Sequence, residues 1–587
     1  MQTKKYLKGE IEKVHIVSLT IDNYRNLNGC VFDFNSDLNF VIGDNNVGKS
    51  NLLSLLDTIF NAKAFEEEDF FNQSNKIEIK FGLKLLDGEI GFFGDNFSED
   101  DSSLVNFILS QGLDEPYPTL VCADTEEALS LKVLKKVHCV NYSSSLSPAK
   151  ELKTDGRGGT SLLIKNIIGK YIEEAGSFSL LEVSQVDAVK EYINDIFSKI
   201  HSVKDYSLSV NVSDKSEELV SKLIYLENNN GNIDESGSGT KYITMASLNI
   251  LCKIMDIYNS KSLKFSEQIF TDQNGKKLLP LLITVDEPEV HLNPFTQRSL
   301  VKYYNRLLEN KDSDFLVLLN KLFGIDGISG QLVIVTHSPD LLLGNYKNII
   351  RLYKDGEETK IVSGKKVSLS KAEEKQLLMN FPELKTAFFS KVVIFVEGES
   401  EYGCMPTFAE KMEIDFDDHG ICLINAEGEK NIRGMRSLLK QFGIESVAIY
   451  DNDVNHGGDT DPNIFYTAEL CFESEIIVSL YNAGRMDLAR LFVDEMEPQG
   501  QGLVLDTDFV KKWYKKNSLS VDTFVPVKIE DIDDTDFEQC KNLFSAWLYN
   551  KKSILMGRMI SANMDEDIIP QSYKDVIDRA KEVASNE

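Results

Sequence analysis

The 587 residues carry 93 acidic against 63 basic side chains, a formal net charge of −30. That excess excludes a general nucleic-acid coat, because nonspecific DNA affinity comes from neutralising phosphates with Lys and Arg; contact through a local basic groove or through bound metal ions stays open. Contents of 42% hydrophobic and 27% charged residues fit a soluble globular chain of about three or four domains, with no apolar run near the roughly 18 residues of a membrane helix.

The N-terminal run Met1-Gln2-Thr3-Lys4-Lys5-Tyr6 lacks the apolar core of a secretory leader. The eight cysteines form no C-x-x-C pair and read as free thiols, so the protein is expected in the reducing cytoplasm, with no membrane partner.

In chain order, the first chemical signal follows a predicted strand, Leu38–Ile42. Residues 43–50, Gly-Asp-Asn-Asn-Val-Gly-Lys-Ser, match G-x-x-x-x-G-K-[ST] at every fixed position, and 51–60 predicts a helix. Gly43 and Gly48 let the backbone wrap a phosphate, while loop N–H groups and the helix N-terminus hold its charge. Lys49 is suited to the outer phosphates and Ser50 to a Mg²⁺ ion; Asn45, Asn46 and Asn51 complete the candidate ATP-binding set. Lys76–Phe93 and Leu131–Tyr142 predict strands, and Val183–Ile200 an amphipathic helix. Ser236-Gly237-Ser238-Gly239 precedes a helical pattern, which makes Ser238 a candidate contact for a γ-phosphate on a second subunit.

The buried-strand run Leu281–Val285 ends in Asp286-Glu287-Pro288-Glu289. A carboxylate at such a strand end can hold Mg²⁺, here Asp286, and Glu287 is placed to polarise the attacking water. A third strand, Gln331–Val335, ends in Thr336-His337-Ser338 and brings His337 toward the γ-phosphate edge. This order of motifs resembles the ATP-binding-cassette ATPases of the RecF and structural-maintenance-of-chromosomes kind. The opening Leu19–Leu27 looks like their first strand, which by resemblance adds Asn26 to the nucleotide site. The signature lacks the Leu-Ser-Gly-Gly core of transporters. Residues 1–150 and 231–388 are expected to form the two parts of this ATPase, with 151–230 as a helical insert suited to dimerisation.

Downstream, strand Val392–Val396 leads into Glu397-Gly398-Glu399-Ser400-Glu401 and then a helix, Tyr402–Met412. A later strand, Val447–Tyr450, runs into Asp451-Asn452-Asp453, where strand alternation would set both aspartates on one side. Carboxylates crowded at the ends of neighbouring parallel strands repel one another unless a cation is present, and hard oxygens favour Mg²⁺ or Mn²⁺. The pattern resembles the Toprim domain of topoisomerases, primases and related nucleases, expected over 389–587. That resemblance implies Glu397 as metal ligand or general acid/base, and Glu401, Asp451 and Asp453 as ligands. Glu473 is the candidate to complete a second metal site, and Lys552, at the opening of an expected final helix, is the candidate to assist the scissile phosphate. The acidic run Glu530–Asp536 reads as a solvated loop.

The expected fold is therefore α/β: an ABC-type P-loop ATPase with a helical insert, followed by a Toprim domain. A cassette ATPase and a Toprim domain in one chain resemble the OLD (overcoming lysogenization defect) nucleases, which include Gabija-type and retron-associated anti-phage effectors. The resemblance implies an ATP- and metal-dependent DNA endonuclease, with two ions in the Toprim site. Its expected partners are DNA, further copies of itself as a homodimer or larger oligomer, and an accessory protein or nucleic acid of a defence system. A nucleotide-gated clamp with a non-cleaving Toprim domain stays open as the alternative.

Overall fold

The computed structural model describes residues 13–586 apart from 86–92, 94–96, 99–100, 102, 144–145, 155–158, 176–182, 201–207, 213–223, 229–230, 273, 343–344, 455–459 and 523. The chain divides into two compact units, Met1–Lys366 and Val367–Glu587. The division falls before the expected boundary at 388/389. Helix Lys371–Ala387 packs on helix Glu429–Gln441 and strand Ile421–Asn425 of the second unit.

The first unit is built on a mostly parallel sheet. Strand Leu38–Gly43 lies between Gly327–Val335 and Ile349–Asp355; beyond Gly327–Val335 come Lys277–Asp286 and then His138–Ser143, all parallel. The three inner strands read as continuous apolar runs because both faces are covered, and every residue of Leu38–Gly43 and Gly327–Val335 is buried. A second, antiparallel sheet pairs His15–Asp22 with Ile77–Lys84, which continues to Leu104–Gln111 and Thr119–Cys122. Its inward side chains join those of helix Lys49–Phe60 in one core.

Several expected elements differ in detail. The strand anticipated over Leu131–Tyr142 is a 3-10 helix at Leu131–Lys136 followed by strand His138–Ser143. The first half lacks the period-2 alternation of a half-buried strand, and its Lys-rich side turns outward. Of the strand expected over Lys76–Phe93, Ile77–Lys84 is present, and 86–92 lie outside the described residues. The 151–230 segment holds helices Gly159–Ala175 and Val183–Phe197, and also the antiparallel strands Leu208–Val212 and Ile224–Asn228, which Gly231–Asn232 just beyond it extends to a three-stranded sheet.

The second unit has a four-stranded parallel sheet in the order Ile421–Asn425, Val392–Val396, Glu445–Tyr450, Ile464–Tyr466. Around it a helical layer is locked by fully buried Trp513, Trp547 and Tyr573. Helix Ile554–Asn563, which follows Lys552, is succeeded by Gln571–Asn586 and is not the last.

Candidate functional site

The phosphate loop is held from behind by a polar relay. Asp69 pairs with Arg25 at 2.8 Å, and Arg25 donates to Asn51 Oδ1 at 2.8 Å. Asn51 donates to Asn26 Oδ1 at 2.7 Å, and Asn26 donates to the Asn46 carbonyl at 2.9 Å. The loop closes against this relay so tightly that Gly48, at φ 109°, has no room for a side chain: a Cβ there would lie 2.6 Å from Leu27 and 2.7 Å from Asn26. Buried Lys49 donates to the carbonyls of Gly43 at 2.8 Å and Asp44 at 2.5 Å. Burial lowers its pKa, against the attraction of Asp44, Glu287 and Asp286.

Asn45, Asn46, Gly48, Lys49, Ser50, Asn51, Glu287 and His337 line one cavity of about 500 Å³. Asp286 lies behind it with Oδ1 buried and without a donor. Burial, reinforced by Glu287 and Glu289, pushes its carboxyl up to about 6. His337 Nε2 stands 3.7 Å from Glu287 Oε1, and burial with the nearby Lys49 charge lowers the imidazole pKa. Glu289, which the sequence reading did not single out, fixes this corner. It accepts from the His337 N–H at 2.6 Å and from Thr336 Oγ1 at 2.9 Å. Ser238 opens helix Ser238–Tyr258, is exposed, and does not line the cavity of its own chain.

In the second unit, carboxylates gather beyond the carboxyl ends of the parallel strands, where α/β sheets place ligands. Glu397, directly after its strand, accepts from the Asp451 N–H at 3.2 Å. Burial and Asp451 push its carboxyl up to about 7. Glu401 is 4% exposed and Glu473 1% exposed. Burial, with Asp451 and Glu473 nearby, pushes Glu401 up to about 8. Asp451 accepts from the Phe472 N–H through Oδ1 at 3.2 Å, and burial raises its pKa.

Asp451 and Asp453 do converge, though not by strand alternation. Strand Glu445–Tyr450 ends before them and Asp453 lies in the 3-10 turn Asn452–Val454. Both reach the same ammonium: Lys516 Nζ is 3.1 Å from Asp451 Oδ2 and 3.0 Å from Asp453 Oδ2. Lys516 was missed from sequence because it sits in a lysine-rich helix end, Thr507–Lys516, 65 residues from Asp451 and without a motif of its own. Lys552 reaches Glu473 at 2.9 Å. It is brought there by helices Glu399–Lys411 and Ile554–Asn563, which cross at Gly403 and Gly557; a Cβ on Gly557 would be 2.1 Å from the Ser400 carbonyl.

Among the described residues no three acidic, histidine or cysteine side chains stand together at metal-holding geometry, and Lys516 and Lys552 pair with three of the carboxylates gathered here. The donors nevertheless fit a hard divalent ion in kind. Glu401 Oε2 is a buried acceptor without a hydrogen-bond donor, as are both Glu473 oxygens; the Lys552 contact is ionic and lacks hydrogen-bond alignment. Such acceptors are costly to leave unmatched. The run Glu530–Asp536 is more ordered than a solvated loop, since Asp534 pairs with Arg490 at 2.7 Å and Asp536 caps helix Phe537–Asn550.

Residues 15–138 and 146–342 match the family model described as "AAA ATPase domain". Residues 388–453 match "Overcoming lysogenization defect protein-like, TOPRIM domain". The chain is 22% identical over 504 residues to the Old nuclease of Escherichia phage P2, covering 75% of this chain and 77% of that protein. It is 21% identical over 452 residues to endonuclease GajA of Bacillus cereus (strain HuB5-5), covering 73% of this chain and 59% of that protein. Among solved structures, the C-terminal region of the Burkholderia pseudomallei OLD protein aligns at 17% identity and a TM-score of 0.23, over 33% of this chain and 99% of that one.

Proposed function

Because the chain belongs to the OLD-like family that joins an AAA ATPase domain to a Toprim domain, we propose that it is an ATP-hydrolysing, divalent-metal-dependent DNA endonuclease serving bacterial anti-phage defence. The observation that carries this reading is the carboxylate cluster Glu397, Glu401, Asp451, Asp453 and Glu473, set beyond parallel strand ends with two lysines against it. The names of the two relatives, a nuclease and an endonuclease, support the same reaction class.

In the ATPase, Lys49 and the loop N–H groups bind the phosphates of ATP, and Ser50 and Asp286 hold Mg²⁺. Glu287 takes the proton of the attacking water, and His337, kept neutral by burial and Lys49, faces the γ-phosphate edge with Nε2 3.7 Å from that carboxylate. Exposed Ser238 touches the nucleotide of a second copy, so the active form is a homodimer or larger, with residues 151–230 helping to join the copies.

In the Toprim domain, Asp451, Asp453, Glu401 and Glu473 hold Mg²⁺ or Mn²⁺. Ions held by these carboxylates would supply positive charge against the phosphodiester and would lower the pKa of a bound water. Glu397, with its carboxyl near neutrality, exchanges a proton with the reacting oxygens. Lys552 offsets the charge of the scissile phosphate. An acidic surface binds DNA poorly by itself, which favours an accessory protein or nucleic acid that delivers the target.

The test is supercoiled plasmid incubated with the protein and Mg²⁺ or Mn²⁺, with and without ATP. Asp451→Ala and Glu397→Ala should lose cleavage by orders of magnitude while retaining ATP hydrolysis; exposed Asp533→Ala should cleave like the wild type. Full cleavage by Asp451→Ala at matched Mg²⁺ would sink the assignment and restore the clamp.

A further inference from the structure

We propose that Lys516 is a place-holding cation: it occupies the metal-facing oxygens of Asp451 and Asp453 until a divalent ion displaces it, and so sets the affinity of that site for metal. This rests on the metal-dependent reading above and concerns a residue outside the cluster's own carboxylates.

The geometry is specific. Asp451 Oδ1 is committed to the Phe472 N–H at 3.2 Å, so Oδ2 is the oxygen left to meet an ion, and Oδ2 is the one Lys516 takes. Asp453 gives Lys516 an oxygen as well, and the ammonium bridges the two at 3.1 and 3.0 Å. A divalent ion on the same two oxygens would be within a few ångströms of that ammonium, and like charges at such a distance exclude each other.

The lysine is built to leave. Its helix, Thr507–Lys516, is anchored by buried Val510 and Trp513 and by Asn550, which donates to the Phe509 carbonyl at 2.7 Å. Lys516 is the last helical residue, on a flexible four-carbon stem. In the bridging position the Lys516 ammonium also lies 5.5 Å from the Tyr549 ring centroid, a ring that carries Lys552 at 4.5 Å as well, so the electrostatic hold on Lys516 is shared between two like charges. The arrangement reconciles two needs. Without metal, a buried acidic cluster would repel itself, and Lys516 neutralises part of it; with metal, the same charge is redundant.

The experiment is calorimetric titration of the full-length protein with Mn²⁺ in the absence of nucleotide, together with thermal melts with and without Mn²⁺. The Toprim component of binding is the part removed by Asp451→Ala. Lys516→Met and Lys516→Gln should bind Mn²⁺ about tenfold tighter or more, the order expected when an opposite charge stops competing for a carboxylate. They should melt below the wild type without metal and match it at saturating Mn²⁺. Exposed Lys512→Met on the same helix should behave as wild type. A merely structural lysine would give lower stability and equal or weaker metal binding, and that result in both Lys516 variants overturns the proposal. Mn²⁺ binding unchanged by Asp451→Ala would overturn the metal-site reading itself, and the place-holder with it.

Discussion

Glu287 holds a left-handed backbone conformation, φ 47°, directly after a buried parallel strand. The cost of such a conformation in a non-glycine residue, of order 1 kcal/mol or more, is met by its N–H bonding the Val335 carbonyl of the neighbouring strand at 2.9 Å. The turn aims the carboxylate into the nucleotide cavity beside His337. Glu287→Gln is expected to bind ATP with near wild-type affinity and to lose turnover by about 10²–10⁴-fold, the range of general-base catalysis, measured by phosphate release against nucleotide binding. Turnover at the wild-type rate would remove Glu287 from the base role.

His138 gives a residue-scale prediction on pH. Burial pushes its imidazole down to about 4 from 6.5, so the folded pKa lies below the unfolded one. The unfolded chain therefore binds more protons between those values, and stability is lost as pH falls through that window. The loss attributable to this group approaches roughly 3 kcal/mol by the lower end. His138→Gln should flatten that part of the pH dependence when urea midpoints are compared at about pH 7 and pH 5. Parallel curves for the two proteins would refute it.

At the scale of elements, the crossing of helices Glu399–Lys411 and Ile554–Asn563 decides whether the second site assembles. Backbones approach closely there because Gly403 faces Ile554 and Gly557 faces Ser400. Gly557→Val would press a branched side chain onto the Ser400 carbonyl, three positions along the chain from Glu397 and next to Glu401. The expected loss is about 1–3 kcal/mol of stability in the second unit, as for other overpacked sites, together with loss of plasmid cleavage. ATP hydrolysis should persist, since the nucleotide residues all belong to the first unit. In the first unit the relay Arg25–Asn51–Asn26–Asn46 plays the corresponding part: it ties the loop to the 3-10 turn Arg25–Leu27, which follows the first strand of the other sheet. Asn26→Ala should weaken ATP binding without unfolding the protein, measured as a raised Kd with an unchanged far-ultraviolet spectrum.

For the whole molecule, two compact units with separate chemistry predict separable responses. ATP with Mg²⁺ should stabilise the first unit by mass action, by about 2.7 kcal/mol at a hundredfold excess over Kd, and so raise its melting temperature. Lys49→Ala should abolish that shift, and Asp451→Ala should leave it intact. Glu287→Gln with ATP should also increase the mass measured by light scattering, because exposed Ser238 has no role in its own chain's cavity and is proposed to serve a second copy. A monomer under those conditions would remove the dimer from the proposal.

The local motifs were legible in sequence because their parts are contiguous. A strand, a glycine-bearing turn and a helix follow one another within residues 38–60, so the motif can be read from one run of neighbours, and the same holds for Val392–Lys411. Asp286 at the end of an apolar run and Glu397 at the end of another follow from the same logic, and both family matches fall on these segments. Tertiary structure alone decided which distant side chains meet them. Lys516 joins Asp451 and Asp453 only because Trp513 and Val510 bury one face of its helix, leaving the last lysine to point at the strand ends. Glu289 becomes the clamp on Thr336 and His337 only because strands Lys277–Asp286 and Gly327–Val335 pair in parallel and end together. Short-range sterics and periodicity belong to consecutive residues, whereas a charge finds its partner through packing, which no run of neighbours encodes.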